Sequence, residues 1–303
     1  TALSEGTVYS DEANLEAGVI GVYWSLKTSN YSWTTQMSEF CSFPSILIHW
    51  KDNRTAENYI QCLRLTMFPH SAENQGLYDY LYASIYKCNK MIEAMIDSPV
   101  DQTYKNEIEG EVKFIRAWQY FAAVRFWGDI PLILNTPKNI DETDAPRVHY
   151  MEVYKQILSD IEYAEQNMRT PERVAEVGGM TGRPNKWAAT ALKASVYMQI
   201  AYLLENKEYQ FFDYQNNPER DCDFSSIGIS TAEDAWNLCL KTAEKVINEG
   251  PYELAKSYAD LFTWGPDVVD TYNSKERIFV LQTTKEGRGS NFSNRTLPPY
   301  WNG

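Results

Sequence analysis

Apolar residues recur along most of the chain at steps of three and four positions, the spacing that places them on one face of an α-helix. This pattern predicts helices over residues 11–27, 77–96, 104–127, 150–167 and 184–204. A further helix is predicted after Ser230-Thr231-Ala232-Glu233, which has the pattern of a capping box. Most segments end at glycine or proline, residues that commonly terminate helices. The sequence therefore predicts a mainly α fold.

Residues 104–127 carry the strongest helical pattern. Their apolar positions form one stripe with two aromatic residues beside it: Ile108, Val112, Ile115, Trp118, Ala122 and Phe126, flanked by Phe114 and Phe121. An apolar surface this wide predicts that the helix packs against more than one neighbour.

The helices are separated by loops in a way that suggests stacked helix hairpins similar to tetratricopeptide repeats, although no clean 34-residue consensus recurs. A polar region with many aromatic residues and no clean period spans residues 28–75. Residues 277–283 are the one good strand candidate, so a minor β element is expected. A loop region as long as residues 28–75 is usually functional.

Composition excludes several classes of protein. Nine Trp, 21 Tyr and 12 Phe make the chain 14% aromatic, which rules out a disordered chain. The net charge of −13 would repel a nucleic-acid backbone. No apolar run approaches the roughly 18 residues of a membrane span, and any targeting peptide is expected to have been removed before Thr1.

Motifs for catalysis or cofactor binding are not found in the sequence. The five cysteines and three histidines lack the spacing of a metal site, and a GxSxG elbow and a Walker A loop are both missing. Cys88 and Cys239 are interpreted as free thiols packed within helices. The segment 178–184 is interpreted as a turn before a helix. We therefore predict no metal site and no cofactor, whereas the 41 acidic residues leave a glycosidase open at this point.

Aromatic residues in the predicted loops are the best candidates for a binding site, because flat rings stack on the apolar face of a sugar while amide and charged groups bind hydroxyls. The alternative is that these rings only pin the loops onto the helices. The candidate glycan-binding residues are Trp33, Trp50, Asn53, Arg54, Tyr59, Tyr300 and Trp301.

One segment carries a family resemblance. Residues 109–134 read EGEVKFIRAWQYFAAVRFWGDIPLIL, which closely resembles the signature of the SusD/RagB family of outer-membrane nutrient-binding lipoproteins. Further similar segments follow in the family's order, among them LYASIYKCN at 81–89, GRP at 182–184 and ERIF at 276–279. The resemblance covers nearly the whole chain.

The resemblance implies a lipid-anchored protein on the extracellular face of the outer membrane that closes over a TonB-dependent, SusC-like transporter. It also implies glycan or peptide binding without catalysis, at loops that correspond here to residues 28–75 and 285–303. The lipid anchor is not part of this sequence. Because members of the family continue past the strand corresponding to residues 278–279, we expect residues 1–303 to be a single domain that lacks its C-terminal portion.

The leading hypothesis is a surface protein that captures a neutral oligosaccharide and delivers it to the transporter. The second hypothesis is a helical-repeat module that binds a peptide or a protein within the same uptake complex. A glycosidase is the weakest hypothesis, because 41 acidic residues supply many carboxylate pairs and none stands out.

Overall fold

The computed structural model describes residues 9–26, 72–176, 183–206, 222–258 and 275–279. These residues form seven α-helices and one two-stranded sheet, with short 3₁₀ helices at Ile140–Thr143 and Ser225–Ile227. The helices are α1 (Glu12–Ser25), α2 (Ala72–Ala94), α3 (Gln102–Trp127), α4 (Tyr150–Asn167), α5 (Pro171–Glu176), α6 (Lys186–Glu205) and α7 (Ala232–Glu249). The strands are β1 (Ile130–Pro131) and β2 (Arg147–Val148), which pair antiparallel.

The helices pack in chain order around α3, which contacts α1, α2, α4 and α6. Beyond it, α4 packs against α6, and α6 packs against α7. More than half of the residues of α3 are buried, which confirms that its wide apolar surface serves several neighbours. The mainly α fold of helix pairs with a minor β element is therefore confirmed.

The predicted helices are present, with differences at their ends. α4 has the predicted bounds, whereas α2 begins at Ala72, five residues earlier than its apolar pattern indicates. The predicted stripe of α1 is buried at Leu15, Val19, Val22 and Leu26. Cys88 is a buried free thiol, as predicted, and Cys239 is a half-buried one.

Two details of the sequence prediction are wrong. The capping box of α7 is formed by Thr231 and Asp234, one position later than the predicted pair. The Thr231 side chain accepts a hydrogen bond from the Asp234 backbone N–H, and the Asp234 side chain accepts one from the Thr231 backbone N–H. Residues 277–279 are not in a strand, and residues 280–283 lie outside the described part. Pro171 begins α5, a position where its missing N–H costs no helical hydrogen bond.

A buried ion pair joins α3 to α4. Arg116 donates from Nε and Nη2 to the two carboxylate oxygens of Asp160, at 2.8 Å each. Its Nη1 also donates to Asn89 Oδ1 on α2, at 2.8 Å. Asn89 in turn donates to the backbone carbonyl of Ile133. One guanidinium therefore fixes α2 and α4 against α3, and through Asn89 the loop after β1.

Candidate ligand-binding site

All seven predicted glycan-binding residues lie outside the described residues, so their role stays a prediction. They fall in two segments, residues 27–71, with Trp33, Trp50, Asn53, Arg54 and Tyr59, and residues 280–303, with Tyr300 and Trp301. The predicted turn at 178–184 also lies outside the described part, except for Arg183 and Pro184. The structure does describe where the chain enters the two segments.

The described residues that precede the two segments contact the same face of α3. The Tyr23 hydroxyl, three residues before the end of the first described stretch, donates to Glu111 Oε1. Phe279, the last described residue, packs edge-on against Phe114 and Trp118, with ring centroids 5.5 and 5.4 Å apart.

Positions 111, 114 and 118 share one face of a helix because they are three and seven residues apart. Seven residues of α-helix span about 10 Å. The contacts of Tyr23 and Phe279 with α3 therefore lie within about two helical turns of each other.

An ion-pair network holds α1 on this part of α3. Glu111 is buried and accepts two hydrogen bonds from Arg183, from Nε at 3.0 Å and from Nη2 at 2.7 Å. Arg183 also pairs with Glu16 of α1. Burial raises the pKa of Glu111 above its ordinary value, and the neighbouring Arg183 guanidinium opposes that rise. The pairing ties α1, α3 and the start of α6 together.

The same network extends to the loop between α4 and α5. Arg169 lies 2.7 Å from Glu16 Oε1 and 2.9 Å from Glu107 Oε2, and its guanidinium lies over the ring of Tyr104. Arg173 pairs with Glu107 at 3.1 Å. Arg173 also pairs with Glu176 at 3.5 Å, so three arginines face four carboxylates, and the cluster serves as a structural clamp.

The buried carboxylates of the described residues are both held by arginines. Glu111 and Asp160 are the two carboxylates that are buried among them, and each is bound by an arginine through both oxygens. No group of three His, Cys, Asp or Glu side chains within the described ranges is placed to hold a metal ion. What the described surface does offer is aromatic rings for stacking.

A partly exposed row of aromatic rings lies on α2. We call Tyr78, Tyr82 and Tyr86 the tyrosine row. The Tyr78 and Tyr82 ring centroids are 4.5 Å apart, and Tyr78 meets the ring of Trp127 edge-on at 5.2 Å. Tyr86 is 45% exposed. These rings escaped the sequence prediction because they lie within a helical pattern and not in a loop.

The buried charges were also missed by the sequence analysis. Glu111 and Arg116 interrupt the apolar surface of α3, which was the one available signal, but their partners Arg183 and Asp160 lie 72 and 44 residues away in sequence. Spacing along the chain does not reveal pairs of this kind.

The described residues form a stack of helix hairpins, which places the protein in the helical-repeat class. Comparison with known proteins gives the family. Residues 4–198 match the SusD-like family model, described as starch-binding and associating with the outer membrane. The match covers more than half of the chain, and the chain belongs to the SusD-like family.

Individual relatives agree with this assignment. SusD-like protein P25 of Formosa agariphila is 25% identical over 308 residues, which is 96% of this chain and 48% of that protein. A SusD-like protein of Bacteroides ovatus is 22% identical over 281 residues, which is 92% of this chain and 44% of that protein. The chain therefore spans about half the length of these relatives.

Solved structures share the fold. NanU of B. fragilis superimposes with a TM-score of 0.69 at 16% identity, over 97% of this chain and 52% of that one. A structure solved with a xylogluco-oligosaccharide has a TM-score of 0.63 at 20% identity, over 89% of this chain and 46% of that one. Among the described residues, no helix combines the length and the apolar character needed to cross a membrane.

Proposed function

We propose that this protein binds an oligosaccharide at the outer face of the outer membrane and delivers it to a SusC-like, TonB-dependent transporter. It does so without catalysis. Trp33, Trp50, Tyr59, Tyr300 and Trp301 stack on the sugar rings. Asn53 and Arg54 bind hydroxyl groups.

The observation that carries the proposal is the shared attachment of the two aromatic-rich segments. Tyr23 and Phe279 contact α3 within two helical turns, immediately before residues 27–71 and 280–303. Two segments that start so close together can contribute to one binding site. The family supports a sugar ligand, and one structural relative was solved with a xylogluco-oligosaccharide.

The ligand is a neutral sugar in this proposal. The net charge of −13 would repel a polyanionic glycan, whereas neutral hydroxyl groups hydrogen-bond to amide and carboxylate side chains at no such cost. Family membership supports the partnership with a transporter and the extracellular position, and both belong to the proposal.

Affinity electrophoresis through gels that contain neutral polysaccharides tests this function. The wild-type protein should be retarded by at least one polysaccharide, and Trp50→Ala and Trp301→Ala should each reduce that retardation. Trp236→Ala is the matched control, because this partly exposed Trp lies on α7 and is not among the predicted binding residues. Unchanged retardation in both test variants would contradict the proposed site. Capture of peptides without retardation by any polysaccharide would favour the peptide-binding hypothesis.

A further inference from the structure

Large apolar side chains lie exposed along α7, the last described helix. The buried residues of α7 are Ala235 and Val246. Trp236, Leu240 and Ile247 on the same helix are 39%, 58% and 72% exposed. An amphipathic helix that packs on one side alone places its large apolar residues on that side. Three large apolar side chains of α7 are therefore left over for a further contact.

A second exposed row, on α6, lies beside the first. Met198 and Tyr202 are about one helical turn apart, and both are exposed. Glu205 follows Tyr202 by three positions, and its Oε1 accepts a hydrogen bond from Trp236 Nε1, at 2.7 Å. This bond brings the two rows together. We call the five exposed side chains the α6–α7 face: Met198, Tyr202, Trp236, Leu240 and Ile247.

The spacing of the α6–α7 face suits a third helix. Trp236, Leu240 and Ile247 stand at positions i, i+4 and i+11, so they lie on one side of α7 and extend over about 16 Å, or three turns. The half-buried Ala243, three residues after Leu240, places a small side chain between large ones. Rows of this kind on two neighbouring helices form a groove that takes the apolar side of another helix.

An apolar face of this size is not general on the described surface. The exposed positions of α4 are all polar: Glu152, Lys155, Ser159, Glu162 and Gln166. Among the described residues twelve large apolar side chains are exposed, of which five belong to the α6–α7 face, whereas α1 has two and α2 has one. Single exposed residues need no explanation, but a patch spread over two packed helices marks an interaction site.

The α6–α7 face has an acidic border. Residues three or four positions apart are neighbours on a helix surface. The charged residues at that distance from the five members are Glu205, Glu233 and Glu244, and all three are exposed. The exposed Lys241 and Lys245 do not stand at such positions. The border therefore complements lysine or arginine, whereas a second copy of this chain would meet it with the same acidic border and a net charge of −13.

We propose that the α6–α7 face docks an amphipathic helix of another protein, one that carries lysine or arginine on both sides of its apolar row. The apolar side chains of that helix enter the groove between α6 and α7. Its basic side chains pair with Glu205, Glu233 and Glu244. The contact does not depend on the sugar ligand, because it uses none of the predicted glycan-binding residues.

Fluorescence anisotropy with two labelled helical peptides of about 18 residues, or five turns, tests the proposal. Both peptides carry leucine along one side, and the leucines are bordered by lysine in one peptide and by glutamate in the other. The wild-type protein should bind the lysine peptide more tightly, and added salt should narrow the difference. Leu240→Asp/Ile247→Asp should weaken binding of the lysine peptide about tenfold or more, because it removes the apolar contact.

Reversal of the border charges separates this contact from general attraction to an acidic protein. Glu233→Lys/Glu244→Lys should weaken binding of the lysine peptide about tenfold and strengthen binding of the glutamate peptide. Asp79→Lys/Glu152→Lys is the matched control, because it changes the net charge by the same amount at exposed acids of α2 and α4. This control should bind both peptides like the wild type.

Three results would overturn the inference. The first is equal binding of the two peptides by the wild type, or an equal loss in the control variant. The second is a fall of about 1 M in the urea midpoint of Leu240→Asp/Ile247→Asp, since the face would then be packed against this chain itself. The third is a wild-type dimer in light scattering that Leu240→Asp/Ile247→Asp converts to a monomer, since a second copy would then be the occupant.

Discussion

Replacing either Arg116 or Asp160 should destabilise this protein more than replacing both together. The two side chains are 5% and 2% exposed and form two hydrogen bonds of 2.8 Å. Arg116→Met leaves the Asp160 carboxylate buried with a single remaining donor, Gln156 Nε2. Asp160→Leu leaves the guanidinium buried with only Asn89 and a 3.5 Å contact to the Leu134 carbonyl.

A buried charge that loses its partner typically costs about 3–5 kcal/mol, whereas replacing a whole pair by apolar residues of similar size is often close to neutral. With urea m-values of about 1–3 kcal/mol/M, each single variant should lower the unfolding midpoint by about 1 M or more. The double variant Arg116→Met/Asp160→Leu should lie closer to the wild type than either single variant does.

Urea denaturation followed by circular dichroism measures all four free energies of unfolding. The reasoning is refuted if each single variant loses less than about 1 kcal/mol, which is the range of an exposed ion pair. It is also refuted if the double variant loses the sum of the two single losses, because the two side chains would then be independent.

Two further predictions concern α1. Burial by itself raises the pKa of Glu16, but hydrogen bonds from Tyr104 and two arginines bring it below the ordinary value of 4.5. The stability that Glu16 adds at neutral pH is then lost as the pH falls below about 4.5, so the difference between wild type and Glu16→Gln in urea denaturation should shrink there. Gly21→Ala should stabilise by about 0.5–1 kcal/mol in thermal denaturation, because its Cβ meets no atom within 4 Å. Gly18→Ala should not stabilise the protein, because its Cβ would lie 2.7 Å from Sδ of the buried Met91. A larger stabilisation by Gly18→Ala than by Gly21→Ala would contradict this packing.

The helices could be predicted from the sequence because their apolar period is a local property. Leu15, Val19 and Val22 are buried where a 3.6-residue repeat places them. The ends were harder to predict. Residues 72–76 add more than a turn to α2 without an apolar period, and β1 and β2 have two residues each, too few for any period.

The surroundings of the candidate site depend on contacts between residues that are distant in sequence. Tyr23 and Glu111 are 88 residues apart, and Arg183 and Glu111 are 72 apart. The sequence marks Glu111 only as a charge within an apolar helix, and nothing along the chain indicates which arginine pairs with it. The family resemblance, in contrast, was correct, because it rests on whole segments of sequence.

Calorimetric titration of the chain with the oligosaccharide that it binds most tightly tests the central claim most directly, namely that residues 27–71 and 280–303 form one glycan site. The account predicts a single binding event with one ligand per chain. Trp50→Ala and Trp301→Ala should each weaken that same event, by about tenfold or 1.4 kcal/mol. Two independent events, of which each variant removes a different one, would contradict the claim, as would unchanged affinity in both variants.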